Sequence, residues 1–166
     1  MSGLFIVSLA GKDRPGLLQH LAHQTHSCDG KWLTSRVSYL EGHLAATIKV
    51  EVPLERETAV KDMFSHQEGL VCCFDDISQE ATVCPMPLDL SIEANDRPGI
   101  VNDITNLLDQ NGVRILNMEN HRFHVTAVGM NMFSAKLKLS LPDHLSEDSL
   151  IEKLAELKGG LRVGRA

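Results

Sequence analysis

The sequence contains no cluster of lysine and arginine residues, and its formal net charge is −6 at pH 7. Affinity for DNA comes largely from basic side chains that neutralise phosphates, so this charge balance argues against direct DNA binding. Long apolar runs are missing too. The run that starts at Gly3, GLFIVSLAG, has no basic flank before it and is followed at once by Lys12-Asp13-Arg14. It predicts neither a signal peptide nor a membrane span, and we expect the protein to be cytoplasmic.

Signatures of catalytic and cofactor sites are also absent. The sequence has no GxSxG, Walker loop, HExxH or dinucleotide-binding fingerprint. Its cysteines lack the CxxC spacing of a zinc site and are expected to be reduced: Cys28, Cys72, Cys73 and Cys84. Three histidines recur along the first predicted helix: His20, His23 and His26. Because a metal site usually draws a ligand from another element, we predict no metal, no cofactor and no catalytic residue.

The most informative feature of the sequence is a motif that occurs twice. Residues 11–22 read GKDRPGLLQHLA, and residues 94–105 read ANDRPGIVNDIT. The shared DRPG begins at Asp13 and again at Asp96, so the copies are separated by half of the 166 residues. The composition, 43% hydrophobic and 23% charged, is that of a globular protein. We therefore predict two small repeated domains, 1–80 and 81–166, with a linker at 79–87.

Both halves show the same order of strand and helix patterns. An apolar or alternating run precedes each DRPG motif, and apolar residues at helical spacing follow it. The predicted strands are Gly3–Leu9, Trp32–Leu40, His43–Val52, Leu70–Ile77, Leu88–Ile92, Val113–Phe123, Met130–Leu141 and Leu161–Val163, and the later helix of each half is Glu55–His66 or Ser146–Leu157. This order predicts an α+β fold of two ferredoxin-like βαββαβ modules, each an antiparallel sheet with both helices on one face.

Three details concern the ends of elements. Glu41-Gly42 is the predicted turn of the first hairpin. Ser146, followed by acidic residues, is the predicted N-cap of the last helix. The C-terminal segment KGGLRVGRA, apart from its short predicted strand, is expected to be disordered.

The duplicated DRPG turn predicts a binding site for an anionic group. A proline at a helix start removes a donor that would lack a partner, and the next glycine has no Cβ to block the backbone. The following amides are expected to be free, at the positive end of the helix dipole, where a carboxylate or phosphate binds. They belong to Gly16, Leu17, Leu18, Gly99, Ile100 and Val101. Asp13 and Asp96 are expected to cap these amides in the empty site or to hold the ammonium group of a zwitterion.

KDRPGLLQHLA and NDRPGIVNDIT, each after an apolar strand, resemble the start of ACT domains, which are βαββαβ regulatory modules that bind amino acids. The tandem most resembles the glycine cleavage system transcriptional repressor family, and MFSAKLKLSLP at 132–142 is similar to the third strand of that family's second module. The loop HVTAVGMN lacks the proline-rich insert common in such relatives, so no partner contact is predicted through it.

The resemblance implies a ligand site where the first loop of one module meets the second strand of its neighbour, in a pseudo-dimer of the two modules. Carried over by position, it implies these ligand-binding residues: Lys12, Asp13, Arg14, Gly16, Leu17 and Ser35 in the first half, and Asn95, Asp96, Arg97, Gly99, Ile100 and Asn117 in the second. The face of the second strand on which Ser35 and Asn117 lie is left open.

These features together predict a non-catalytic regulator that binds a small amino acid, with glycine among the candidates, and alters its contacts with a transcription factor. No membrane partner is expected. One alternative is an ACT-fold interaction module that has lost its ligand. Another is a small enzyme that uses Cys28 or the histidines of the first helix. The sequence leaves open which amino acid binds, which protein is the partner and whether the chain forms a homodimer.

Overall fold

The computed structural model describes residues 1–77 and 86–166. These residues separate into two compact units, one on each side of the stretch 78–85. The predicted boundary between residues 80 and 81 lies outside the described residues, as does most of the predicted linker. None of the helices in the described part of the chain has the length and apolar character needed to cross a bilayer.

The first unit has the predicted βαββαβ order. Its elements are β1 (Ser2–Lys12), α1 (Leu17–Ser27), β2 (Lys31–Leu40), β3 (His43–Pro53), a 3-10 turn (Leu54–Arg56), α2 (Glu57–Ser65) and β4 (Leu70–Asp76). The strands form one antiparallel sheet in the order β2-β3-β1-β4. The predicted hairpin turn is confirmed: Glu41 and Gly42 have positive φ angles of 49° and 77°, as a tight two-residue turn between twisted strands requires.

The second unit repeats this order. Its elements are β5 (Leu88–Asn95), α3 (Ile100–Gln110), β6 (Arg114–Val125), β7 (Met130–Ser140), α4 (Glu147–Ala155) and β8 (Arg162–Arg165). They form an antiparallel sheet in the order β6-β7-β5-β8. The predicted cap of α4 is confirmed, because Ser149 N donates to Ser146 Oγ at 3.2 Å.

The prediction of a disordered C-terminal segment is wrong. Residues of β8 pair with β5, and the Arg165 guanidinium lies 3.2 Å from a Glu147 carboxylate oxygen and 3.0 Å from one of Asp148. Those two carboxylates begin α4, so the last strand is attached to both the sheet and a helix. Local composition did not reveal this attachment because its partners are distant in sequence.

In each unit, one face of the sheet is buried beneath both helices. Alternate residues of the central strands are fully buried there, such as Phe5 and Val7 of β1, which lie opposite Val50 and Ile48 of β3. Leucines of α1 and apolar residues of α2 complete the first core, and α3 and α4 do the same in the second. The opposite side of each sheet, which we name the helix-free face, carries the intervening residues. The predicted α+β fold of two ferredoxin-like modules is confirmed.

The outer strands β2 and β6 share an irregularity. The β2–β3 register shifts between Trp32 and Thr34, and the β6–β7 register shifts between Ile115 and Asn117. Trp32 and Ile115 have the same separation, 83 residues, as the two DRPG motifs. The repeat therefore extends to a bulge in the backbone, and residues of α1 and β2 can be matched one by one with those of α3 and β6.

Candidate functional site

The two DRPG turns form equivalent corners, each between a strand and a helix. We name them the first corner, residues 12–18, and the second corner, residues 95–101. Each corner is attached to the hairpin of its own unit, because Asp13 N donates to Gly42 O at 3.0 Å and Asp96 N donates to Asn131 O at 2.9 Å. The corners are therefore held in place by main-chain hydrogen bonds.

Glycine, rather than proline, is the residue directly before each helix. Gly16 and Gly99 precede α1 and α3 with φ angles of 77° and 80°, a left-handed conformation that residues with a Cβ rarely adopt. Pro15 lies two residues before the first helical residue, Leu17, so the expectation of proline at the helix start is wrong. Open space surrounds both glycines where a side chain would begin.

The backbone amides of the corners are partly free. Leu17 N donates to Arg14 O at 3.2 Å and closes the turn, so the expectation of a free amide at Leu17 is wrong. Within residues 1–77 and 86–166, no acceptor is found for the amides of Gly16, Leu18, Gly99, Ile100 and Val101. Each corner thus presents at least two amide donors at the N-terminal end of a helix, where the helix dipole also favours an anion.

The aspartate of each corner accepts a hydrogen bond from the outer strand of its own unit. Tyr39 Oη donates to Asp13 Oδ1 at 3.2 Å, and Arg122 Nε donates to Asp96 Oδ1 at 2.8 Å. Neither α1 nor α3 has a side-chain cap, so the expected capping of the amides by these aspartates is wrong. Partial desolvation and the Asp13 carboxylate raise the pKa of Tyr39, so its hydroxyl remains a donor at neutral pH.

Tyr39 and Arg122 are the residues of the candidate site that the sequence prediction missed. Each follows its aspartate by 26 residues. The signal that could have found them is the repeat itself, because they occupy equivalent positions outside the DRPG motif. Their chemistry differs: Asp13 faces a neutral hydroxyl, whereas Asp96 forms an ion pair.

The arginine of each corner reaches the loop that precedes the last strand of its unit. Arg14 Nη2 donates to Gln67 Oε1 at 2.9 Å, and Arg97 Nε donates to Lys158 O at 2.9 Å. Arg97 also forms an ion pair with Asp103, with Nη2 and Oδ2 separated by 2.7 Å. Both arginines therefore attach the corner to a neighbouring loop.

The two corners differ in how far their charges are neutralised. The position of Asp103 in α3 corresponds to His20 in α1, so Arg14 lacks the acidic neighbour that Arg97 has. In the second corner, both the aspartate and the arginine form ion pairs. In the first corner, Asp13 and Arg14 hydrogen-bond with a hydroxyl and a side-chain amide, both neutral. A charged ligand would therefore displace fewer ionic contacts at the first corner.

The predicted ligand residues of the second strands lie on opposite sides of their sheets. Ser35 is opposite Ile48, which is buried beneath the helices, so Ser35 is on the side of the first corner. Asn117 is opposite Lys138 on the helix-free face, away from the helix amides. By the alternation of strand residues, two other predicted residues also lie on the helix-free face: Lys12 and Asn95.

From the sequence alone, the described cysteines and histidines are possible metal ligands or nucleophiles. Among the residues that the structure describes, no group of three or more His, Cys, Asp and Glu side chains is placed to hold a metal ion. Cys72 Sγ donates to Phe64 O at 3.3 Å. Burial and the neighbouring Cys73 raise the pKa of the Cys72 thiol, which disfavours the thiolate that a nucleophile requires.

Comparison with known proteins identifies the repeated unit. ACT domain models match residues 3–70 and residues 85–165. The chain carries two ACT domains in tandem. ACT domains bind small amino acids, so this tandem ACT architecture supports a regulatory, amino-acid-sensing role.

Two solved structures resemble the tandem ACT chain over nearly its whole length. An unknown protein from Galdieria sulphuraria superposes with a TM-score of 0.86 at 20% identity, covering 99% of this chain and 97% of the other. A candidate glycine cleavage system transcriptional repressor superposes with a TM-score of 0.64 at 13% identity, covering 100% and 99%. At these identities the likeness shows a shared fold. No curated protein matches the tandem ACT chain.

Proposed function

We propose that this tandem ACT protein is a non-catalytic regulator that senses a small amino acid at its first corner. The Asp13 carboxylate holds the ammonium group, and the amides of Gly16 and Leu18 hold the carboxylate. The observation that carries the proposal is the pairing, in one corner, of amides without an acceptor and a carboxylate bonded by a neutral hydroxyl. A zwitterion satisfies both groups at once.

The first corner is a better binding site for a charged ligand than the second corner. An ammonium group at Asp96 would compete with Arg122, whose Nε lies 2.8 Å from the carboxylate. At Asp13 it would compete only with the Tyr39 hydroxyl, which can turn and donate elsewhere. The second corner remains a predicted ligand site, but a ligand could bind there only if the ion pair between Asp96 and Arg122 opened. Its predicted ligand residues are Asp96, Arg97, Gly99 and Ile100.

The side chains beside the first corner favour a small ligand. Ser35 and Tyr39 both project from β2 on the side of the helices, and Tyr39 already reaches Asp13. Glycine is one candidate, and the structural neighbour described as a candidate glycine cleavage repressor motivates its inclusion. Sensing requires that the ligand favour one state of the protein over another, and we propose that the favoured state changes contact with a transcription factor.

Thermal unfolding in the presence of single amino acids tests the proposal. A ligand at a hundred times its Kd stabilises the folded state by about 2.7 kcal/mol. We expect glycine or another small amino acid to give such a shift with the wild-type chain. Asp13→Ala should abolish the shift, whereas the matched variant Asp96→Ala should retain it. The absence of a shift with every amino acid at millimolar concentration would reject the sensor.

The second candidate is an ACT-fold interaction module without a ligand. It predicts that Asp13→Ala leaves binding of the transcription-factor partner unchanged in the presence and absence of amino acids. The cytoplasmic location and the division at residues 80 and 81 remain predictions. A gel-shift assay with the purified chain, in which no shift is expected, tests the prediction that DNA is not bound directly.

A further inference from the structure

In the first unit, the indole of Trp32 closes the gap between α1 and the start of β2. The ring packs against the core, and its Nε1 donates to Thr25 Oγ1 at 3.1 Å. Thr25 is itself buried and donates to Leu21 O at 2.8 Å. The chain therefore fills this gap with an aromatic ring and satisfies the polar atom of that ring.

The second unit has a surface crevice at the equivalent place, where Leu108 and Val113 occupy the positions of Thr25 and Gly30. Position 115 corresponds to position 32, because each precedes the same bulge on the outer strand. It is an isoleucine with 39% of its surface exposed. The space left is a crevice of about 390 Å³, which we name the α3–β6 crevice, lined by Thr105, Leu108, Asp109, Val113, Arg114 and Ile115.

The lining of the α3–β6 crevice combines an apolar floor with a charged rim. Leu108 and Val113 are buried and belong to the core of the unit. Asp109 and Arg114 supply one carboxylate and one guanidinium, and neither makes a side-chain ion pair with another described residue. In the first unit the corresponding residues are His26 and Lys31, so the pair of opposite charges is particular to the second unit.

We propose that the α3–β6 crevice is a second binding site, which takes the ring of a free aromatic amino acid. The ring occupies the place that Trp32 fills in the first unit, the ammonium group binds Asp109, and the carboxylate binds Arg114. The occupant is inferred from the chain itself, which fills the matching gap with an indole. The site shares no residue with either corner and does not depend on the function proposed for them.

Fluorine NMR of fluorotryptophan mixed with the full chain tests this site directly. Line broadening is expected with the wild-type chain. Ile115→Trp places the same ring at the equivalent position, but Leu108 stands where Thr25 accepts the indole hydrogen bond, so the folding of the variant is checked by its thermal unfolding. It should weaken binding by at least about tenfold, or roughly 1.4 kcal/mol. Ile115→Val is the matched control and should bind. Equal broadening with wild-type and Ile115→Trp protein of the same thermal stability would overturn the proposal.

The charged rim is tested by changing the probe and the rim separately. Asp109→Asn and Arg114→Gln should each weaken fluorotryptophan binding by about tenfold and leave fluoroindole binding unchanged. If N-acetyl-fluorotryptophanamide, which lacks both charges, binds as well as fluorotryptophan, then a free amino acid is not the ligand. Asp13→Ala and Asp96→Ala should not alter this binding. The proposal for the crevice and the proposal for the first corner are therefore tested independently.

Discussion

Replacement of Gly11 by alanine is expected to destabilise the first unit by about 2 kcal/mol, in the middle of the range for overpacked sites. Gly11 is the β1 residue just before the first corner and pairs with Leu70 of β4. A Cβ at Gly11 would overlap the carbonyl oxygen of Gly69 and would lie 2.9 Å from Leu70 Cδ2 and 3.0 Å from the Gly69 carbonyl carbon.

The cost is large because the obstacle is backbone. A flexible side chain could rotate away, but Gly69 is fixed at the start of β4 with a φ angle of 79°. The loop or the strand must move instead. For a unit of this size, about 2 kcal/mol corresponds to a fall in Tm of about 10 °C.

The second unit supplies the matched control. Its equivalent of Gly11 is Ala94, which is buried, and β8 begins opposite Glu93, one residue earlier. In the first unit, β4 pairs with β1 as far as Gly11, whereas in the second unit no residue of β8 pairs with Ala94, so the Cβ of Ala94 is accommodated. Ala94→Gly should therefore cost about 1 kcal/mol, the ordinary penalty of glycine in a strand.

Denaturant unfolding, combined with hydrogen exchange of the β4 amides, measures the effect of Gly11→Ala. We expect a lower unfolding midpoint and faster exchange in Leu70–Asp76. A change in the free energy of unfolding of less than about 0.5 kcal/mol, the size expected of an ordinary surface substitution, would refute the reasoning. It would mean that the Gly69 carbonyl can move away from the new Cβ without destabilising the unit.

Three further predictions concern single side chains. Ser146→Ala should lower the free energy of unfolding by about 1 kcal/mol through loss of the helix cap, measured by denaturant titration against Ser146→Asp, which should retain the cap. Trp32→Ile should cost about 2 kcal/mol and open a crevice that binds fluoroindole, seen by fluorine NMR; unchanged stability would contradict the role of the indole. The hydrogen bonds that the Lys61 ammonium donates to Asp76 and Glu57 raise the pKa of Lys61 above its ordinary value of 10.5. Their contribution is present below the unfolded pKa and lost as pH rises through the folded one, so Lys61→Met should lose stability relative to wild type at neutral pH, with the difference shrinking in strong base.

The elements that the sequence predicted well are those set by local chemistry. The Glu41-Gly42 turn needs residues that accept positive φ, and the Ser146 cap needs a hydroxyl three residues before the amide that it accepts from. Both features are therefore determined by residues close together in the sequence. The repeat supported the prediction of the fold, because the same order of strand and helix patterns occurs in both halves. The helices on one face followed from the spacing of apolar residues.

The parts that failed depend on contacts between distant segments. Asp13 was expected to cap its helix, but the hairpin register brings Tyr39 within hydrogen-bond distance of its carboxylate. The order of the C-terminal segment beyond its predicted strand was missed because the partner of Arg165, the start of α4, is not its neighbour in sequence. The face of Asn117 could not be predicted, because the bulge after Ile115 changes the count of alternation along β6.

Strand β2 contains one residue more than its pairing with β3 uses, because the register moves by one between Trp32 and Thr34. A chain lacking Leu33 would keep Trp32 opposite Val50, and every other side chain of the strand would stay on its own side. A deletion of one residue elsewhere in the strand would exchange the two sides of part of it. The site of Leu33 can therefore absorb a change in chain length that the rest of the strand would not tolerate.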